Sequence, residues 1–195
     1  MENRKKVTLI LAAILLLIEI FIIVLSIINK RTDSILEAIL VAILYAVYVI
    51  VEIKYELYIG TYIKSTVIIT LIGHTLLGNY IRFYDTSFIF DKILHLFGTY
   101  SFALFLYALL CYSIKELSCL NIYRFILILS LGITLGSVFE IIEFIGDILF
   151  NPKRPYQNNL FDTNLDLIFN TAGAVIAGIH LIYRNINLKY ISKEK

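Results

Sequence analysis

Six long apolar segments, separated by short polar stretches, follow one another along the chain. They cover roughly residues 7–28, 35–57, 65–83, 92–113, 122–150 and 164–183. About 20 apolar residues in a helix cross the hydrocarbon core of a bilayer, so the pattern predicts about six transmembrane helices. The sequence therefore predicts an all-α fold, a polytopic membrane helix bundle that forms a single membrane domain over residues 1–195.

The composition narrows the classes of protein that remain. Hydrophobic residues make up 59% of the chain and charged residues 16%, and the mean hydropathy is +0.84. These values exclude a soluble protein and leave no room for a separate soluble catalytic domain. The net charge of +2 comes without a clustered basic face, so we expect membrane lipids and no nucleic acid as partners.

The distribution of lysine and arginine predicts the orientation. With the N-terminus inside, 11 bases fall in inner segments and 6 in outer segments. Because basic segments stay on the cytoplasmic side, both termini are predicted to be cytoplasmic. Four of the outer bases, Arg82, Lys92, Lys153 and Arg154, are expected in loops.

Acidic residues interrupt the fifth apolar segment. The stretch "FEIIEFIGD" holds Glu140, Glu143 and Asp147, whose i, i+3, i+7 spacing places them on one helix face. In the predicted orientation they lie in the outer half of the span. Ionised carboxyl groups inside a bilayer cost a few kcal/mol each, so such residues normally face a cavity, a partner or an ion.

Two further polar clusters begin at the same predicted depth. The fourth segment starts with "FDKILHLFG", in which Asp91 and His95 form an i, i+4 pair. The sixth starts with "FDTNLDLIFNTAGA", whose polar residues at i, i+4 and i+8 share a face; they are Asp162, Asp166 and Asn170. Thr163 and Asn164 are expected at the start of that helix. His74 of the third segment approaches the same layer from somewhat deeper.

The surplus of carboxyl groups predicts a bound cation, unless protons or water neutralise it. Carboxylates with one or two imidazoles suit a divalent metal such as Zn, Mn or Mg, and the sequence does not choose among them. The candidate metal ligands are Asp91, His95, Glu140, Asp162 and Asp166, with Glu143 as a candidate catalytic base. Further candidates are His74, Asp147 and Asn170.

Structural roles compete with this interpretation. Each cluster alone is also explained by a helix cap or by a helix end that headgroup water solvates. Glu19 and His180 are single polar residues for which structural pairing is the simpler explanation. Helix packing explains the small-residue spacing of four glycines, Gly132, Gly136, Gly173 and Gly178.

The order "GHTLLGNYIRFYDTSFIFDKILHLFG", "EIIEF" and "DTNLDLIFNTAGA" resembles the YjdF-like family of multispanning bacterial inner-membrane proteins of unknown function. More distantly it is similar to VanZ-like membrane proteins, which share the "DKxxH" start of a span. The resemblance covers roughly residues 67–178. It singles out His74, Asp91, His95, Glu140, Glu143, Asp162 and Asp166. Phe144 stands where such proteins often carry tryptophan, which weakens a stacking role there.

Three classes of function follow, in this order. The first is a metal-dependent hydrolase or transferase acting on a lipid or envelope substrate at the outer leaflet. The second is a small cation- or proton-coupled transporter, for which titratable groups should continue to the inner side, where Glu19 and His180 are available. The third is a scaffold or accessory subunit whose acids bind a basic loop of a partner.

Overall fold

The computed structural model describes residues 2–57, 59–114, 120–150, 155–157 and 159–184, without the side chains of residues 32, 33 and 184. All regular structure in these residues is helical. The α-helices are α1 (Glu2–Ile28), α2 (Thr32–Tyr55), α3 (Thr61–Ile72), α4 (Phe83–Thr86), α5 (Phe88–Ser113), α6 (Asn121–Phe150) and α7 (Leu160–Arg184). A π-helix, Gly73–Tyr80, lies between α3 and α4.

Five helices in the described part of the chain are long and apolar enough to cross a membrane. They are α1, the stretch Ser34–Tyr55 of α2, α5, α6, and α7 as far as Tyr183. The predicted all-α membrane helix bundle is therefore confirmed. At 30 residues α6 is about 45 Å long, which exceeds the hydrocarbon core of a bilayer as the length of the fifth segment predicts.

The third apolar segment forms a helix of changing geometry. The 12 residues of α3 continue directly into the 8 residues of the π-helix, whose wider turn ends with the bond from Ile81 N–H to the Leu76 carbonyl. Arg82 then adopts a left-handed conformation with φ of 69°, which turns the chain into α4. Neither helix alone is as long as a span, so the sixth span stays a prediction.

The chain forms two compact units, Met1–Phe90 and Asp91–Lys195. In unit 1, α1, α2 and α3 enclose a hydrophobic cluster that consists of Ala12, Leu15, Tyr45, Val49 and Ile68. Beside it lies a buried ion pair, in which Lys64 Nζ is 2.9 Å from Glu52 Oε1. The prediction of one membrane domain over 1–195 is not tested by this division and stays a prediction.

In unit 2, glycines let three helices approach closely. A Cβ added to Gly132 would overlap Ala174, and one added to Gly173 would overlap the Leu96 backbone carbonyl. Gly136 makes room for the side chain of Asn170. The packing role that the small-residue spacing predicts is confirmed at these positions.

Helix α7 begins earlier than the sequence indicates. Asn159 accepts a hydrogen bond from the Asp162 backbone N–H at 3.1 Å, as an N-cap residue does, and the helix starts at Leu160. The expectation of a start at Thr163 and Asn164 is wrong, because both lie inside the first turns.

The predicted orientation stays a prediction. Six of the bases on which it depends lie outside the described residues; they are Lys115, Lys153, Arg154, Lys189, Lys193 and Lys195.

Candidate functional site

A buried lysine stands at the centre of the acidic residues of unit 2. Lys92 lies in the second turn of α5 with 3% of its side chain exposed, so its expected place in a loop is wrong. Its ammonium donates to Asp166 Oδ1 at 2.7 Å and Oδ2 at 2.8 Å, to Asp91 Oδ2 at 3.0 Å, and to Asp162 Oδ1. One cation of the chain thus bridges carboxylates from α5 and α7.

The imidazole of His95 lies between two groups of acids. Its Nε2 is 3.5 Å from Asp91 Oδ1 and 3.6 Å from Asp166 Oδ1. Its Nδ1 is 3.7 Å from Glu140 Oε1 on α6. Each ring nitrogen therefore faces carboxylate oxygen, and α5, α6 and α7 all contribute to the surroundings of one ring.

Glu140 and Glu143 form the second group of acids. Together with His95 they offer ligand atoms that all lie within 4.8 Å of one another, as do Asp91, His95 and Asp166. Glu140 is 5% exposed and Glu143 is half-buried. Glu140 Oε2 accepts from Gln157 Nε2 at 3.1 Å, whereas the buried Oε1 accepts no hydrogen bond from any described residue.

Asn170 adds an amide oxygen beside the same ring nitrogen. Its Oδ1 accepts from Thr99 Oγ1 at 2.7 Å and lies 3.2 Å from His95 Nδ1. If Nε2 carries the ring proton and directs it to Asp91 and Asp166, three acceptor atoms converge: His95 Nδ1, Asn170 Oδ1 and Glu140 Oε1. Only Asn170 Oδ1 among them then receives a hydrogen bond from a described residue, Thr99, and a cation would stabilise the three atoms together.

Asp147 has a different role from Glu140 and Glu143, with which it shares a face of α6. Its Oδ1 accepts from the Tyr156 backbone N–H at 2.7 Å and its Oδ2 from the Gln157 backbone N–H at 2.9 Å. Asp147 therefore holds the loop residues Tyr156 and Gln157 against the end of α6 by hydrogen bonds to their backbone. This places the Gln157 amide against Glu140, where it also donates to the Glu140 backbone carbonyl at 2.9 Å.

His74 belongs to unit 1, and its contacts there are local. The ring Nδ1 lies 2.7 Å from the Tyr84 hydroxyl, and Nε2 lies 3.3 Å from Asn79 Nδ2 and 3.6 Å from Glu37 Oε2. Gly78 leaves space for the Tyr84 ring, which a Cβ there would overlap. Its predicted membership of the acidic cluster stays a prediction.

The sequence analysis did not identify three residues of the site: Lys92, Thr99 and Gln157. Two of them could have been found, because Lys92 and Thr99 have i, i+3, i+7 spacing with His95 and therefore lie on the same face of α5. Gln157 carries no such signal, because its position depends on the bonds that Asp147 makes to the loop backbone.

The fold and site define an all-α membrane protein with a buried acidic cluster around one histidine and one lysine. The chain belongs to the family described as "Predicted membrane protein (DUF2238)", whose model matches residues 9–187.

A curated relative also matches part of the chain. It is an uncharacterised protein of Thermotoga maritima, 32% identical over 114 residues. The match covers 57% of this chain and 56% of that protein, so the chain spans a little over half the length of this relative. No solved structure matches the chain.

Proposed function

We propose that the protein is a metal-dependent hydrolase or transferase of the bacterial inner membrane that acts on a lipid or envelope substrate at the outer leaflet. His95 Nδ1, Glu140 and Glu143 hold the divalent cation, with the Asn170 oxygen beside them. The observation that carries the proposal is Glu140 Oε1, a buried acceptor 3.7 Å from His95 Nδ1 that receives no hydrogen bond from the described residues.

The position of Lys92 favours cation binding by Glu140 and Glu143 over binding by Asp91 and Asp166. Both oxygens of Asp166 and one oxygen of Asp91 already accept from its ammonium. A metal between them and His95 would therefore face a fixed positive charge. On the other side of the ring, Glu140 and Glu143 have no lysine or arginine within salt-bridge distance in the described part of the chain. The cation gains more there.

Asp91 and Asp166 then orient the His95 ring as a metal ligand. His95 Nε2–H points towards Asp91 and Asp166, which fixes the ring and makes Nδ1 the more basic nitrogen. In this arrangement Glu143, the expected general base, becomes a ligand instead. A divalent cation held by these residues would supply Lewis-acid chemistry, the polarisation of a substrate oxygen or the activation of a water molecule.

A cavity next to the site suits a substrate with both apolar and polar parts. Its volume is about 500 Å³, and its walls combine Phe144, Ile148 and Leu160 with polar residues of the loop and α7, including Gln157 and Asn159. Gln157 also contacts Glu140, so one residue of the cavity wall touches a proposed ligand of the cation. Such a lining fits the boundary between the headgroup and acyl chain of a lipid.

The resemblance to YjdF-like and VanZ-like proteins enters here as part of the proposal. It would place this site among the short motifs "DKILHLFG", "FEIIEF" and "DTNLD", which hold the acids and His95.

Metal analysis of the purified protein tests the proposal most directly. We expect about one divalent ion per chain, a lower melting temperature after chelation, and restoration by one of Zn, Mn or Mg. Occupancy should fall on acidification, because protons compete for the carboxylates. Glu140→Gln should abolish the restoration, whereas the matched control Glu56→Gln, which removes an exposed carboxylate, should preserve it.

Enzymatic activity is tested in the same preparations. Vesicles of bacterial lipid extract are incubated with the protein, and mass spectrometry follows new lipid products. Products that require the restoring cation and disappear in Glu140→Gln support the proposal. A metal-free protein indifferent to chelator would contradict the cation site, and bound metal without products would contradict the enzymatic part.

A further inference from the structure

Glu19 is a carboxyl group enclosed within unit 1. It lies near the middle of α1 and is 0% exposed. Its Oε1 lies 2.9 Å from the Thr75 hydroxyl of the π-helix, and its Oε2 has no hydrogen-bond partner among the described residues. Thr75 is the one described side chain with which it makes a hydrogen bond or ion pair, so no base of unit 1 neutralises it.

The hydroxyl of Thr75 has one hydrogen and two neighbouring oxygens. Its Oγ1 lies 2.9 Å from Glu19 Oε1 and 3.0 Å from the Leu71 backbone carbonyl one turn earlier. Both hydrogen bonds can form if the Thr75 hydroxyl donates to the Leu71 carbonyl and accepts a hydrogen bond from a protonated Glu19. Glu19 is then a neutral carboxylic acid, and the second bond uses a hydrogen of the acid itself.

The orphaned oxygen supports the same assignment. An ionised carboxylate in the interior of a membrane protein needs several donors or a counter-ion, because its desolvation is costly. A neutral acid has only a carbonyl oxygen left unpaired, which is a much smaller loss. A single shared hydroxyl hydrogen is too little to stabilise an anion in this buried position.

The other buried acid of α1 and α2 shows the contrast. Glu52 Oε1 lies 2.9 Å from Lys64 Nζ, which also donates to Thr8 Oγ1 at 2.6 Å. Thr8 in turn lies 3.1 Å from the Arg4 backbone carbonyl, to which it donates. Glu52 Oε2 also lacks a hydrogen bond from the described residues, but the charged ammonium of Lys64 neutralises an ionised Glu52, so this pair needs no additional proton.

We infer that Glu19 is a proton-binding site inside unit 1, which is occupied in the folded protein and donates a hydrogen bond to Thr75 Oγ1. This proton site consists of unit 1 residues and uses none of the residues of the proposed cation site.

The titratable groups of the packed elements leave the proton of Glu19 in place. Helices α2 and α3 and the π-helix contact α1, and their described titratable side chains are Glu37, Tyr45, Tyr48, Glu52, Lys54, Tyr55, Tyr62, Lys64, His74 and Tyr80. None of them forms an ion pair with Glu19. Ala12 and Leu15 of the hydrophobic cluster stand between Glu19 and the Thr8 end of α1, where the Lys64 ammonium lies.

Infrared spectroscopy of the detergent-solubilised full chain tests this inference. A protonated carboxyl group has a carbonyl stretch above the amide I band, and the band moves to lower frequency in D₂O. We expect the difference spectrum of wild type minus Glu19→Gln at neutral pH to contain such a band. The control difference, wild type minus Glu52→Gln, should contain none.

The infrared spectrum of Thr75→Val is a second test, which does not depend on whether Glu19→Gln folds. Loss of the acceptor should shift the acid band to higher frequency, whereas an ionised Glu19 would leave that spectral region unchanged. The inference is overturned if neither Glu19→Gln nor Thr75→Val alters the region, or if Glu19→Gln removes only a carboxylate band.

Discussion

Lys92 is the residue on which the charge balance of unit 2 depends. Its ammonium forms salt bridges with Asp91, Asp162 and Asp166, although only 3% of the lysine side chain is exposed. A buried charge with several hydrogen-bonded partners is tolerated because the partners replace its hydration. The same bonds hold α5 and α7 in register.

Lys92→Met should therefore destabilise the protein strongly. Removal of one member of a buried ion pair typically costs about 3–5 kcal/mol, because the other charges remain buried without compensation. Thermal unfolding in detergent measures the loss. The matched control is Lys5→Met, whose exposed pair with Glu56 spans 3.9 Å and should contribute little. Equal melting temperatures for Lys92→Met and wild type would disprove the role assigned to Lys92.

The convergence of the acids was readable from the sequence, and the lysine among them was not. Helical spacing placed Asp91 with His95 and Asp162 with Asp166 on single faces, and these faces do meet. Hydropathy treats a lysine near a span end as interfacial, because the long side chain usually reaches water. Whether it turns inward depends on acids about 70 residues away, at Asp162 and Asp166.

At the scale of elements, close contact between helices determines the site. Gly173 of α7 faces the backbone of α5 at Leu96, the residue directly after His95, and at Tyr100. Gly136 of α6 lies against the side chain of Asn170. Small residues at these crossings bring the three helices near enough for their polar side chains to share one ring.

Gly173→Ala should push α5 and α7 apart. Its Cβ would overlap the Leu96 carbonyl oxygen, which belongs to a helix backbone and cannot rotate away. Overpacking of this kind costs about 1–3 kcal/mol, and thermal unfolding would detect it. Gly146→Ala is the control within a helix, since its Cβ would lie 3.4 Å from the Tyr156 ring in ordinary contact. Comparable melting temperatures for the two variants would contradict close packing at Gly173.

Hydropathy predicted the positions of the long helices, but it did not predict the local geometry of the π-helix or the start of α7. The five spanning helices lie where apolar runs predict them, because burial in lipid requires a run of sufficient length. The π-helix has no distinct hydropathy, since a wider turn changes hydrogen bonding and leaves composition unaltered. The early start of α7 depends on the side chain of one loop residue, Asn159, which no periodic pattern contains.

For the whole molecule, the orientation in the membrane follows from the charge bias alone. Both termini are predicted in the cytoplasm, which places the acidic cluster towards the outer leaflet. A reporter active only in the cytoplasm should work after Lys195, and one active only outside should fail there. The opposite pattern would invert the proposed position of the substrate as well.

The two acid groups around His95 share a single imidazole. A neutral imidazole has one lone pair, so it can serve either Glu140 and Glu143 or Asp91 and Asp166 as a ligand, never both at once. Occupancy of one group therefore excludes the other, and the metal content of a chain is limited to one ion through this ring. In a dinuclear centre, in which two metals clamp one substrate group, His95 could therefore be a ligand of only one of the two ions.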